Sequence, residues 1–78
     1  MIELEILSPD GAQRLEADAV FLPGAMGEFE VLNNHAPIIS ALVKGSIKWR
    51  NGSETSCLEI SGGVVRVKDN KIQVCVQN

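Results

Sequence analysis

The stretch Val64-Val65-Arg66-Val67-Lys68-Asp69-Asn70-Lys71-Ile72-Gln73-Val74-Cys75-Val76 decides the fold. On both sides of Asp69-Asn70 the β-branched residues recur at every second position, which is the period of a strand and not of a helix. Asp and Asn tolerate tight-turn geometry, so the segment reads as a closing hairpin.

The same alternation extends outward. Ile2, Leu4 and Ile6 face one way and Glu3 and Glu5 the other, which gives a half-buried strand ended by the turn Ser8-Pro9-Asp10-Gly11. Leu15, Ala17, Ala19 and Phe21 alternate with Arg14, Glu16, Asp18 and Val20 as a second strand, broken at Pro23-Gly24. Glu28 to Leu32 is strand-like up to Asn33-Asn34, and Ile38 to Val43 reads as a buried strand ended by Gly45. Ser46 to Arg50 alternates again. Asn51-Gly52 is the strongest hairpin signal in the chain, expected as a type I′ turn. Glu54 to Ile60 supplies its partner strand, with Cys57 sharing a face with Glu59 or lying near a bulge, before Gly62-Gly63 interrupts. The expectation is one all-β domain over residues 1–78, an antiparallel β-sandwich or barrel of about eight short strands.

A chain of 78 residues makes one domain. Such a domain buries only about 60% of the surface exposed when unfolded, so its core is marginal without a disulfide, a metal or a partner. Cys57 and Cys75 are too few for a disulfide framework and lack metal-ligand spacing. Each lies in an apolar run, where a reduced thiol acts as a small hydrophobe. A partner is left as the source of extra stability. The N-terminus lacks the pattern of a signal peptide, and Leu32 to Val43 is far shorter than the roughly 20 residues needed to span a bilayer. A soluble domain able to dock beside a membrane is expected.

The net charge of −3 is unevenly spread: seven acids against Arg14 in residues 1–30, and six cations against three acids in residues 44–78. The basic half is diluted by acids and has one aromatic, Trp49, so nucleic-acid binding is not expected. Phosphate-loop spacings are absent, and one histidine supplies too few metal ligands. A nucleophilic pair would need the fold to bring Cys57 or Cys75 to His35. Glu28 and Glu30 share a strand face, but exposed strand carboxylates are ordinary. These observations point to a binding or structural module, without catalytic residues, metal, cofactor or small-molecule substrate.

Gly27-Glu28-Phe29-Glu30-Val31-Leu32-Asn33-Asn34-His35-Ala36-Pro37 concentrates unusual choices. Pro37 holds Ala36 extended, so the loop is stiff and presents its side chains in fixed directions. It reads either as a tight turn whose His35 bonds its own loop, or as a docking loop. Continued through Ile38-Ile39-Ser40-Ala41-Leu42, the segment resembles the signature of the epsilon subunit of bacterial F-type ATP synthases, called delta in mitochondria. Leu58-Glu59-Ile60-Ser61-Gly62-Gly63-Val64-Val65-Arg66-Val67 is similar to that family's second block, and Gly45 and Asn70-Lys71-Ile72-Gln73-Val74 match in order and spacing.

The resemblance implies a flattened β-sandwich and a non-catalytic rotor subunit linking the gamma subunit to the c-ring at the foot of the central stalk. It implies a peripheral position on the cytoplasmic face of a bacterial cell membrane. By resemblance, the ring-facing positions are Glu28, Asn33, Asn34, His35 and Pro37, with Glu28 as the anion facing the ring and Gly27, Gly45, Gly62 and Gly63 as structural turns. Two residues depart from the family pattern: Glu30 stands where Gly is usual and Asn33 where Pro is frequent. The chain also ends at Asn78 without the family's two C-terminal helices; were that the natural end, no helical restraint of hydrolysis would be expected, and otherwise regulation is left open. Two rivals remain: a β-sandwich adaptor that adds a peptide to an edge strand, and a small hydrolase using His35 with a cysteine.

Overall fold

The computed structural model describes residues 1–77. Nine strands follow one another: β1 (Ile2–Ser8), β2 (Gly11–Ala17), β3 (Ala19–Gly24), β4 (Gly27–Leu32), β5 (Ile38–Leu42), β6 (Gly45–Asn51), β7 (Glu54–Ile60), β8 (Gly62–Lys68) and β9 (Lys71–Gln77). Hydrogen bonding runs in the order β2-β1-β9-β8-β5-β3-β6-β7, with β4 on the other edge of β3. The link between β5 and β3 is the single pair Gly24↔Leu42. The sheet therefore curls there into two layers, β2-β1-β9-β8-β5 and β4-β3-β6-β7, closed over one core.

Alternation sets that core. Ile2, Leu4 and Ile6 of β1, Val65 and Val67 of β8, and Ile72, Val74 and Val76 of β9 point inward from one layer. Val20 and Leu22 of β3, Val31 of β4, Ile47 of β6 and Ile60 of β7 meet them from the other. Among the described residues no polar or charged side chain is buried, so burial is uncompromised by unpaired groups. Each fully buried Leu, Ile or Val stabilises by about 1.5–3 kcal/mol.

The sequence expectations hold for the all-β class and for most strands, with corrections. The expected single strand from Leu15 to Phe21 is two strands. Asp18 bends the chain, its amide donating to the Arg50 carbonyl at 2.7 Å and its carboxylate accepting from the Gly52 amide at 2.7 Å. The bend reverses the facing, so Val20 and Leu22 are buried and Phe21 only half-buried. Pro23 and Gly24 stay in β3, and the reversal falls at Ala25-Met26 instead. The layers are not wholly antiparallel either, because β1 pairs with β9 in parallel.

The hairpin at Asn51-Gly52 forms one residue later than expected, since Asn51 pairs with Glu54 around Gly52-Ser53. Positive φ occurs at Gly52 (63°) and not at Asn51, the pattern of a glycine-first II′ turn. The type I′ signature, positive φ at both central residues, belongs to Asp69 (52°) and Asn70 (61°). Both cysteines are free but exposed, Cys57 beside Glu59 on the outward face of β7 and Cys75 on that of β9, so neither serves as a core hydrophobe.

Candidate interaction surfaces

Strand β4 carries the sequence-selected loop and divides it between the two ends of the sandwich. At one end β3 turns into β4 through Ala25-Met26, with Gly27 at φ 123°, a value that disfavours any side chain. The turn is held from behind by Ala25 N–H donating to the Ala41 carbonyl at 3.0 Å and Val43 N–H donating to the Pro23 carbonyl at 2.9 Å. Its apex side chain, Met26, is 101% exposed, and Glu28 projects nearby, opposite Pro23. Exposed Val43 and Lys44 complete this end.

Asn33, Asn34, His35 and Pro37 lie at the opposite end. Glu28 and Asn33 are five steps apart along an extended strand, about 17 Å at the rise of a β-strand. The expected single ring-facing loop is therefore two sites. The second is bound up with its own chain. Asn34 takes φ 63°, and the His35 amide donates to the Leu32 carbonyl at 3.2 Å to close the turn. His35 Nδ1–H donates to the carbonyl of Ala36 at 2.7 Å. Asn70 Oδ1 accepts from the Asn34 amide at 2.9 Å, and Asn70 Nδ2 donates to Asn33 Oδ1 and to the Met1 carbonyl, each at 3.0 Å. In the sequence Asn70 reads only as a turn former; its spatial role is to tie three segments together, and local pattern carries no signal for that.

The hydrolase reading finds no assembled site. His35 lies at the Asn70 end, whereas Cys75 sits in register with Val64 and Ala41, six residues along the chain from His35. Cys57 faces Lys48 in the other layer. Among the described residues no three of His, Cys, Asp and Glu gather as metal ligands. Glu28 and Glu30 do share an outward face, opposite Pro23 and Phe21. The remaining selected glycines stand at strand starts rather than in turns: Gly45 opens β6, and Gly62 and Gly63 open β8. A Cβ on Gly63 would run into the carbonyl of Cys75.

The outer face of the β2-β1-β9-β8-β5 layer is organised in rows. One is apolar: Ala41, Val64, Cys75, Leu7 and Ala12 stand side by side across the strands. The next is Ile39, Arg66, Gln73, Glu5 and Arg14. In it Arg66 Nη2 donates to Gln73 Oε1 at 2.5 Å, Gln73 Nε2 donates to Glu5 Oε1 at 2.9 Å, and Arg14 Nε donates to Glu5 Oε2 at 2.9 Å. The Gln73 hydrogen bond first, and that of Arg14 second, hold the Glu5 carboxyl below its ordinary range. The same contact raises Arg14. Ile39 is 75% exposed and Val64 50%. The outer face of the other layer mixes Glu28, Glu30, Lys48, Arg50 and Glu59.

Comparison with known proteins fits this architecture. Residues 1–78 match the family described as ATP synthase, Delta/Epsilon chain, beta-sandwich domain. The chain belongs to this family. The ATP synthase epsilon chain of Nitratidesulfovibrio vulgaris strain Miyazaki F is 41% identical over 78 residues, 99% of this chain and 58% of that one. That of Desulfitobacterium hafniense strain DCB-2 is 40% identical over 72 residues, covering 91% of this chain and 54% of that one. The chain thus spans a little over half the length of these relatives. Its fold is also that of a chain in the cryo-EM structure of the Euglena gracilis mitochondrial ATP synthase OSCP/F1/c-ring, with TM-score 0.89 at 23% identity over 96% of this chain and 49% of that one. A chain of the Tetrahymena thermophila mitochondrial ATP synthase central stalk and c-ring superposes with TM-score 0.83 at 16% identity, over 99% of this chain and 63% of that one.

Proposed function

We propose that this domain is the β-sandwich part of an epsilon-type rotor subunit, a non-catalytic piece of the central stalk that links gamma to the c-ring and couples proton flow to ATP synthesis. The observation that carries the reading is the end-to-end family match over residues 1–78, with relatives named as ATP synthase epsilon chains. The bacterial relatives support a peripheral position on the cytoplasmic face of a cell membrane. This role asks for no cofactor, nucleic acid or small-molecule substrate at the domain.

The two faces and two ends divide the work. The apolar row Ala41-Val64-Cys75-Leu7 suits the gamma subunit, which would supply the burial a domain this small lacks. The Met26 end suits the ring, because Glu28 and the Met26 apex project there, and a rim charge such as Glu28 sets register more than affinity. The Asn70 end is the poorer candidate for a polar contact, since its Asn and His groups already bond within the chain. Affinity capture of the chain from cells that express it tests the reading. Co-purification of gamma together with c-ring subunits is expected, and capture without gamma would overturn it.

A further inference from the structure

The rows on the outer face of β5, β8 and β9 do more than present apolar area. Arg66 and Lys68 alternate on the same face of β8, and Lys71 of β9 stands directly opposite Lys68. A like-charge pair across two strands is unfavourable in isolation. Little at hand relieves it: Lys71 Nζ reaches Glu3 Oε2 at only 3.9 Å with both side chains half exposed, a pair worth little. Arg66 has an amide for a partner, not a carboxylate, and Gln73 is fixed by Glu5. Arg66 is therefore held in place with most of its donor fork unused. In a chain of net charge −3, this spot gathers three of the seven cations.

Two hollows flank these side chains. One, of about 350 Å³, is lined by Arg66, Lys68, Asp69, Lys71 and Gln73. The other, of about 320 Å³, is lined by Pro37, Ile38, Ile39, Arg66, Val67 and Lys68. Arg66 and Lys68 line both. An apolar hollow thus adjoins a basic one, a combination complementary to an apolar side chain placed beside carboxylates.

We propose that the outer face of β5, β8 and β9 docks a polypeptide surface that sets an apolar side chain into the Ile39 hollow and one or more carboxylates against Arg66, Lys68 and Lys71. Arg66, already oriented by the Gln73-Glu5 chain, receives a carboxylate with two parallel N–H donors and little loss of side-chain freedom. Lys68, which makes no ion pair among the described residues, gains a counter-charge, and Lys71 gains a second one beside the long contact to Glu3. A polypeptide is favoured over anionic lipid because exposed Ile39 stands directly opposite Arg66 in one cross-strand row, so that an apolar side chain and a carboxylate must arrive side by side at fixed spacing. The proposal rests on the stalk reading, in which the partner is gamma, and adds that gamma meets this face with acidic residues.

The test is binding of the chain, and of its variants, to purified gamma subunit from the same organism at low and high salt. Wild type is expected to bind and to weaken roughly ten-fold as added salt screens the pairs. Arg66→Glu/Lys68→Glu should weaken binding by roughly ten-fold or more, because it sets like charges against each other. The milder Arg66→Ala/Lys68→Ala should weaken it less, and Ile39→Ser should weaken it with unchanged salt dependence. Lys48→Glu, on the opposite layer, should bind as wild type, and thermal melting checks that every variant is folded. If wild type fails to bind gamma, the stalk reading and this inference fall together. If wild type binds while the charge reversal changes neither affinity nor salt response, the stalk reading stands and the acidic-partner inference is overturned. Loss of binding to phosphatidylglycerol vesicles in the charge-reversed variant, with gamma binding intact, likewise overturns it in favour of a lipid surface.

Discussion

Asn70 donates its side-chain N–H to Asn33 Oδ1 at 3.0 Å, across a gap of 37 positions in sequence. The same amide group accepts from Asn34 N–H and donates to Met1 O, so one side chain in the β8–β9 turn fastens the β4–β5 loop and the N-terminus. Asn70 has a second task, since its φ of 61° lies in the left-handed region. Two substitutions separate them. Asn70→Gly keeps the backbone conformation and removes the hydrogen bonds, with an expected loss of about 1–3 kcal/mol at roughly 1 kcal/mol per bond. Asn70→Ala adds the left-handed penalty of about 1 kcal/mol or more. Urea unfolding should rank the variants wild type, Gly, Ala; equal stability of all three would remove Asn70 as the fastener.

Glu5 gives the domain a pH dependence with a definite sign. Its folded carboxyl titrates below the ordinary glutamate value of about 4.5 because Gln73 and Arg14 donate to the charged form. Between the folded and unfolded values the unfolded chain binds more protons, so stability rises with pH in that window. The contribution is fully present above about 4.5 and is lost as pH falls through the depressed folded value. Carbon-detected NMR titration should place Glu5 below the value of a glutamate in an unfolded peptide, and Gln73→Ala should move it upward. Glu5→Gln should flatten the acid limb of the stability curve. A Glu5 titration at the unfolded-peptide value would contradict the hydrogen-bonded row.

Close backbone approach makes the next case. Gly63 lies against β9 so tightly that an added Cβ would meet the Cys75 carbonyl and come within 3.2 Å of Val76 Cα. Neither neighbour is a flexible side-chain tip, and both belong to the strand pair β8–β9 at the centre of its layer. Gly63→Ala is therefore expected to shift the ladder and cost about 1–3 kcal/mol, the range of overpacking. Leu22→Ala, which empties a fully buried site, should cost about 2–5 kcal/mol. For a domain whose whole stability is on the order of 5 kcal/mol, either change should lower the melting temperature steeply. A melting temperature for Gly63→Ala within a degree of wild type would show that the ladder yields freely.

The strands were legible where one face is wet and one dry, because a period of two then writes itself into the residues. Ile2-Leu4-Ile6 and the β8–β9 hairpin show this, and their inward sets are the buried ones. Legibility failed where a residue changes layer. Asp18 looked like one more polar position in an alternating run, and only its bonds to Arg50 and Gly52, more than 30 positions away, turn it into a corner. The cysteines misled for a related reason: an apolar-looking run on a two-faced strand still sends half its members outward. The candidate site suffered most. Residues 27–37 read as one loop, but β4 occupies most of that span and drives its ends apart. The parallel pairing of β1 with β9 unites the chain's first and last strands, a relationship that no local pattern encodes.

That separation makes the ring contact testable. Glu28 and His35 stand toward opposite ends of β4, so on the proposed ring contact the two positions can be tested separately. Glu28→Lys is expected to weaken proton pumping driven by ATP in inverted membrane vesicles while leaving the melting temperature of the domain within a few degrees, because Glu28 is exposed. Met26→Asp, at the apex of the same end, should act in the same direction and combine non-additively with Glu28→Lys, as neighbours sharing one partner do. His35→Ala should combine additively with Glu28→Lys, since the two sites share no contact. Coupling that is unchanged in Glu28→Lys and in Met26→Asp would turn the domain around. It would leave the Asn70 end, with its self-bonded Asn33, Asn34 and His35, as the surface presented to the ring.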